Sequence, residues 1–369
     1  MSSDNPAAQH LEQRMTWREG LFLLGPGLLT SPYYSSGALI SAGVGYATPL
    51  FQIGLYLLLF LLAPLYVEAV LLTLSNGGTY VMTRYALSHF GRVAMLAAAL
   101  VGVVISFSYV ALAIVSMLSY SDYVFSLVGR IEGRTAIAMG ISMIPSIGFG
   151  VWVMPRRWRQ VVTVVTVTAV LGMILSAVLT PSAVVMLPPL IMLFMLNNYG
   201  LKESITVSKT IFLVNVVVMG VTILICLIHL LMHGADLSRF VTGGELPEAV
   251  VAAARAAAEA DTHEHHGAVE SLPGFATFGM PLLLAGAGIS ILGASGVESV
   301  MNVPEDLENP RRDIGRIFKW MLSLLLGIGG TVSLLLFLVL EPEQLAGSSS
   351  YLLAVLGQQA MLGVFGSSG

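Results

Sequence analysis

Charge is what this sequence has least of. Only 10% of its 369 residues are Asp, Glu, Lys or Arg, where a soluble domain carries about 25%. With 56% hydrophobic residues and a mean hydropathy of +0.85, the chain cannot clothe a water-soluble surface. Cysteine is almost absent. The single Cys226 lies in an apolar run, which excludes an intrachain disulfide and a cysteine metal centre. The net charge of -4 gives no basic surplus and points away from nucleic acid. Enzyme constellations are missing too. There is no phosphate-binding P-loop, no His-Glu metal pair on a helix and no Gly-x-Ser-x-Gly elbow. The apolar runs hold one histidine, His229, close to an end. No cofactor, resident metal or enzymatic activity is expected.

What is present is a series of long apolar runs. A helix needs roughly 20 such residues to cross a bilayer. Nine spans are predicted, near 20–42, 49–74, 93–121, 135–153, 161–180, 183–197, 205–232, 276–303 and 319–340, with a shorter tenth stretch at 351–365. The polar residues 1–19 form an N-terminal segment ahead of a transmembrane region, 20–369. The first run is too long, and too poor in small residues at its end, for a cleaved signal peptide. The class that follows is an all-α polytopic protein of the cell membrane, with the lipid bilayer as its surroundings.

Basic residues set the expected orientation. With a cytoplasmic N-terminus, 13 of the 17 Lys and Arg residues fall inside. Arg130, Arg134, Arg239 and Arg255 fall outside, an asymmetry of the positive-inside kind. The segment 233–275 is then an external loop. Its Ala-rich part, 248–260, reads as a short helix. His263, His265 and His266 beside Glu264 can bind zinc, but a solvated loop explains them more simply.

Two spans carry helix breakers. The first reads Gly25-Pro26-Gly27-Leu28-Leu29-Thr30-Ser31-Pro32, and the eighth contains Gly293-Ala294-Ser295-Gly296-Val297 followed by Glu298. Proline and glycine at this density predict a discontinuous helix in each. A pair of interrupted spans is the best sequence pointer to a transporter's binding site. Freed N–H groups suit a carboxylate and freed carbonyls suit an ammonium group or a metal cation. Glu298, an ionisable group at membrane depth, is a candidate for coupling or gating. Glu68 lies about six residues, roughly 9 Å, from the end of the second span, and a gating or structural role fits it. Tyr109, on the third span, joins the coupling set. Arg311 and Arg312, after Asn309-Pro310, are expected to pair with Glu305 or Asp306.

These motifs resemble the amino acid–polyamine–organocation permeases. The first-span sequence is similar to that family's Gly-x-Gly-x-x-x-x-Pro. Glu68 followed by Gly77-Gly78-Thr79-Tyr80 resembles its Glu then Gly-Gly-x-Tyr. Asn198-Tyr199-Gly200-Leu201-Lys202-Glu203-Ser204 resembles Asn-x-x-Gly-Val-x-x-Ser. Ser295-Gly296-Val297-Glu298 through Glu305 to Asp313 resembles Ser-Gly-Phe-Glu and the Asn-Pro-Arg-Arg-Asp that follows it. The resemblance spans about 20–345. It implies a LeuT-like inverted-repeat helical bundle, here with an incomplete second repeat, broken at its first and sixth core helices. It further implies a symporter that moves amino acids or related organic cations by alternating access, coupled to protons. The resemblance implies that the substrate carboxylate sits at the first break, Gly25 to Thr30, and its amino group at the sixth, Gly293 to Val297.

The sequence departs from the family at several points. The spans near 135–153 and 161–180 have no counterpart and read as an inserted hairpin, about 132–180. Gly315 stands where proline is common. The chain stops at Gly369, where an eighth core helix is expected, so a C-terminal truncation is one reading. Two rival functions remain. Thr30-Ser31-Pro32-Tyr33-Tyr34 resembles the Thr-Ser-Pro-Leu-Tyr of potassium-uptake permeases, but Gly27 stands where those carry an Asp. The other rival is a non-transporting sensor or inactive fragment.

Overall fold

A computed structural model describes residues 14–129, 134–153, 158–174, 180–197, 201–248, 251–252, 271–274 and 279–366. Arg130, Arg156, Arg157, Arg255, Asn198 to Gly200, His263, His265, His266 and most of the expected 248–260 helix lie outside the described residues.

A helix stands at each of the nine expected spans. They are α1 (Trp17–Ser41), α2 (Thr48–Thr73), a short α3 (Gly78–Ala86) between spans, α4 (Arg92–Val128), α5 (Arg134–Val153), α6 (Trp158–Ile174), α7 (Pro181–Asn197) and α8 (Leu201–His233). After them come α9 (Met280–Ser290), α10 (Pro310–Leu324), α11 (Thr331–Val339) and α12 (Leu352–Phe365). Among the described residues the only strands are β1 (Gly244–Glu245) and β2 (Ser271–Leu272), an antiparallel pair. Four continuous stretches, Gly45–Thr73, Arg92–Val128, Ser204–His233 and Pro310–Val339, are long and apolar enough to cross a membrane. Their faces carry exposed residues such as Leu96, Phe107 and Leu231. Apolar side chains that no protein covers are what a lipid solvent demands.

The chain divides into two compact units. The first holds residues 1–26, 66–213 and 298–317, and the second 27–65, 214–297 and 318–369. In the first unit, α5 and α6 both pack on α7. One core joins Val124 and Val128 of α4 to Ala138 and Val185. A second joins Val161 and Val165 to Met192, and a third joins Met139, Ala169 and Val184. The first of these explains why α4 runs 37 residues, past the predicted end at 121. Its last two turns have a protein partner and gain from remaining helical.

α7 carries Pro188 and Pro189 inside the helix. Proline has no N–H, so the carbonyls four residues earlier lose their donors. Ser142 Oγ on α5 supplies one, donating to the Val185 carbonyl at 2.8 Å, and Tyr120 donates to Ser142 at 3.0 Å. Ser142 is fully buried. Removing this donor leaves an unsatisfied carbonyl in a medium without water. We expect Ser142→Ala to cost about 1 kcal/mol and Tyr120→Phe less, read as thermal unfolding of the purified protein. An unchanged midpoint in Ser142→Ala would show that Val185 is satisfied otherwise.

The last predicted span has a different form from the one expected. The helix begins at Pro310, ahead of the predicted start at 319. Pro310 takes the first position of α10, where its missing N–H is harmless, and Asp313 sits in the first turn. α10 then passes through a π-helical turn, Leu325–Gly330, into α11.

Candidate functional site

The expected break in the first span is a correction. α1 is helical without interruption from Trp17 to Ser41. Pro32 cannot donate to the Leu28 carbonyl, but Ser31 Oγ does so instead at 2.6 Å. The ladder is patched by a side chain and the helix need not unwind. The second break is real. α9 ends at Ser290, a 3-10 turn covers Ile291–Ala294, and another covers Val297–Asn302. Between them Gly296 has φ +99°, a conformation that other residues adopt only with strain.

In the second unit the two glycine-rich stretches meet. A Cβ on Gly296 would lie 3.4 Å from the Leu28 nitrogen and 3.5 Å from the Gly27 carbonyl carbon. Ser31 Oγ also contacts the Gly293 carbonyl at 2.8 Å. Behind them is a polar core. Gln52 Nε2 donates to Ser35 Oγ at 2.7 Å, and Ser36 Oγ donates to Gln52 Oε1 at 3.1 Å. The Tyr56 hydroxyl, buried in the same place, faces Gly293, where a Cβ would come within 3.0 Å of it. Gly329 of the π-helical turn packs against Pro32 and Tyr56. π-turns of this kind recur at functional sites.

The members of the predicted first-span set separate here. Gly27 is exposed, with nothing within 4 Å of where a side chain would begin, and Thr30 Oγ1 donates to its carbonyl at 3.1 Å. Leu28 and Leu29 are buried core residues. Gly25 belongs to the first unit. A Cβ there would come within 2.6 Å of the Phe212 ring, so its smallness serves helix packing. Ala294 and Val297 are buried, while Ser295 and Gly296 are half-buried.

In the first unit, Glu298 and Tyr109 line one cavity of about 210 Å³, with Gly77, Thr79, Tyr80, Gly102, Ile105, Ser106 and Asn302. Asn302 Nδ2 donates to the Tyr109 hydroxyl at 3.0 Å. A Cβ on Gly78 would meet Asn302 Oδ1 within 2.5 Å, so the glycine lets Asn302 approach the start of α3. The walls offer hydroxyls, an amide and one carboxylate. Glu68 is exposed on α2 and is not part of this lining.

A second cluster in the same unit replaces the expected arginine pairs. Glu305 Oε1 accepts from Asn76 N–H at 3.0 Å and Ser75 Oγ at 2.8 Å. Asn76 Nδ2 donates to Asp306 Oδ2 at 2.8 Å, and Glu305 N–H returns a bond to Asn76 Oδ1. The backbone of Met15 brackets this segment, donating to the Asp306 carbonyl and accepting from Glu308 N–H. Thr16 and Glu19 then close a capping box at the start of α1. Arg311 and Arg312 are exposed, and neither pairs with these acids among the described residues. A short turn rich in N–H and hydroxyl donors reaches the carboxylates first, at less entropic cost than two long side chains.

Sequence reasoning missed Ser31, Gln52, Tyr56, Asn302 and Ser106. Ser31 could have been found, because it directly precedes a proline that orphans a carbonyl. Asn302 could too, being four residues after Glu298. Gln52 and Tyr56 show only as polar groups inside an apolar span.

Fold and site together define a largely helical protein with helices apolar enough to cross a membrane and a polar cavity beside Glu298. The comparison with known families is more particular. Residues 21–367 match the amino acid permease family, and the chain belongs to it. No curated protein and no solved structure matches the chain.

The Asn76 amide, and after it the Ser75 hydroxyl, hold the Glu305 carboxyl below its usual range. A depressed pKa contributes stability that is present above the unfolded value of about 4.3. That contribution is lost as pH falls through the folded value. Glu305→Gln should therefore lower the melting temperature relative to wild type at pH 7. The gap should hold down to about pH 5 and close below pH 4. A gap independent of pH would mean that the carboxylate's charge plays no part.

Proposed function

We propose that this protein is a secondary active transporter that moves amino acids or related organic cations by alternating access, coupled to protons. The observation that carries the reading is the second break. Its Gly296 lies against the Gly27–Leu28 backbone, and its Glu298 opens on a polar cavity. Family membership supports a small-molecule substrate.

The continuous α1 changes how such a substrate would be held. Its amide donors are used within the helix, so Gly27 and Thr30 offer an open approach and a hydroxyl rather than an anion cradle. The substrate carboxylate is assigned to the chain around Ser295 and Gly296. Glu298, with Tyr109 and Asn302 beside it, takes the coupling proton. Titration calorimetry of the purified protein with a zwitterionic amino acid tests this assignment. Gly27→Val has room to fold, since nothing lies within 4 Å, yet it should abolish binding. Glu298→Gln should leave exchange intact while removing proton-driven accumulation in vesicles. Unchanged affinity in Gly27→Val would remove the first helix from the substrate path. Saturable potassium binding without amino-acid binding would favour the inorganic-cation reading.

The proposed orientation places the N-terminus in the cytoplasm and 233–275 outside. In a Cys226→Ser background, an impermeant thiol reagent applied outside should label Ala260→Cys and spare Arg157→Cys. The reverse pattern would invert the topology.

A further inference from the structure

A second, larger cavity in the first unit has no part in the transport reading. It is an open cleft of about 550 Å³ between α3 and the start of α4, a size typical of ligand sites. Arg84, Tyr85 and Ser88 supply its polar wall, and Val81, Ala94 and Met95 its apolar wall. Arg84 is exposed and has no ion pair or hydrogen-bond partner among the described residues. The surrounding sequence holds no acid to supply one. Between Glu68 and Asp122 there is no Asp or Glu, whereas Arg84, His89 and Arg92 all fall there. Apolar side chains next to these in the chain are exposed as well. Phe90 and Val93 are each 65% exposed, and Met95 59%. α3 follows one apolar span and precedes another, which sets the cleft where hydrocarbon gives way to headgroups.

Each feature narrows the occupant. A free inorganic anion would gain nothing from the apolar wall. A neutral lipid would leave the guanidinium unanswered. A cleft lined by both a guanidinium and apolar side chains matches an amphiphile with an acidic head. We propose that this cleft binds an anionic phospholipid. Its phosphate lies on Arg84 and the Ser88 hydroxyl, with Arg92 adding to the attraction, and its acyl chain runs along Val81, Ala94 and Met95. The inference needs only that the chain resides in a membrane, so it stands or falls separately from the choice of transported substrate.

Native mass spectrometry of the full chain, released from nanodiscs, counts retained lipid directly. Phosphatidylglycerol should be held at least tenfold more tightly than phosphatidylcholine. Arg84→Ala should erase that preference, Arg84→Lys should keep most of it, and Arg239→Ala, in the other unit, should not alter it. Millimolar inorganic phosphate should not displace the lipid. Equal retention of the two lipids would overturn the proposal. So would a preference that survives Arg84→Ala, or displacement by phosphate alone, which would indicate a simple anion site. Should Arg84→Ala fail to fold, a photoactivatable phosphatidylglycerol on the wild-type chain decides the matter. Crosslinks within 81–95 support the site, and crosslinks only elsewhere refute it.

Discussion

A backbone carbonyl that loses its helical donor inside a membrane has no water to turn to, and much of this structure follows from that constraint. Pro32 orphans the Leu28 carbonyl and Pro189 orphans the Val185 carbonyl. In each case a buried serine supplies the missing hydrogen, Ser31 from the same helix and Ser142 from a neighbouring one. α1 and α7 stay helical through Pro32 and Pro189, with a donor built in beside each. At Gly296, where glycine takes a positive φ, the helix does break. The difference between a patched helix and an open one decides where polar chemistry can be offered to a ligand.

Glycine serves separate ends along this path. At Gly25 it admits the Phe212 ring, at Gly296 it permits both a turn and a close backbone approach, and at Gly27 it leaves open space. The same residue type therefore supports packing, a turn and open space at different positions. Glu298 has a different logic. A carboxylate in an apolar span is tolerable only among polar neighbours, and Tyr109, Asn302, Ser106 and Thr79 provide them around one cavity.

Much of this was legible beforehand. Apolar run lengths placed a helix at each expected position, and Ser295 to Glu298 marked the interruption of the eighth. Tyr109 and Glu298, selected from chain positions nearly two hundred residues apart, line the same cavity. What escaped had physical causes. The Pro-Gly density of the first span reads as disruption, because local propensity cannot see that Ser31 repairs the ladder. The acids at 305 and 306 read as partners for nearby arginines. Sequence proximity says nothing about the turn at Ser75 and Asn76, which approaches them from 230 residues away. Gln52 and Tyr56 left no trace because their meaning lies in the neighbours that folding brings.

Ser31 holds a tension that its two distances conceal. Its hydroxyl lies 2.6 Å from the Leu28 carbonyl and 2.8 Å from the Gly293 carbonyl, but a hydroxyl carries one proton. At any instant only one of the two acceptors can be served fully. The gap in the first helix and the opening of the second thus compete for a single hydrogen. Whatever draws that proton toward Leu28 loosens the hold on Gly293, and the reverse holds too. One rotating O–H group makes the integrity of one helix and the freedom of the other opposite readings of the same bond.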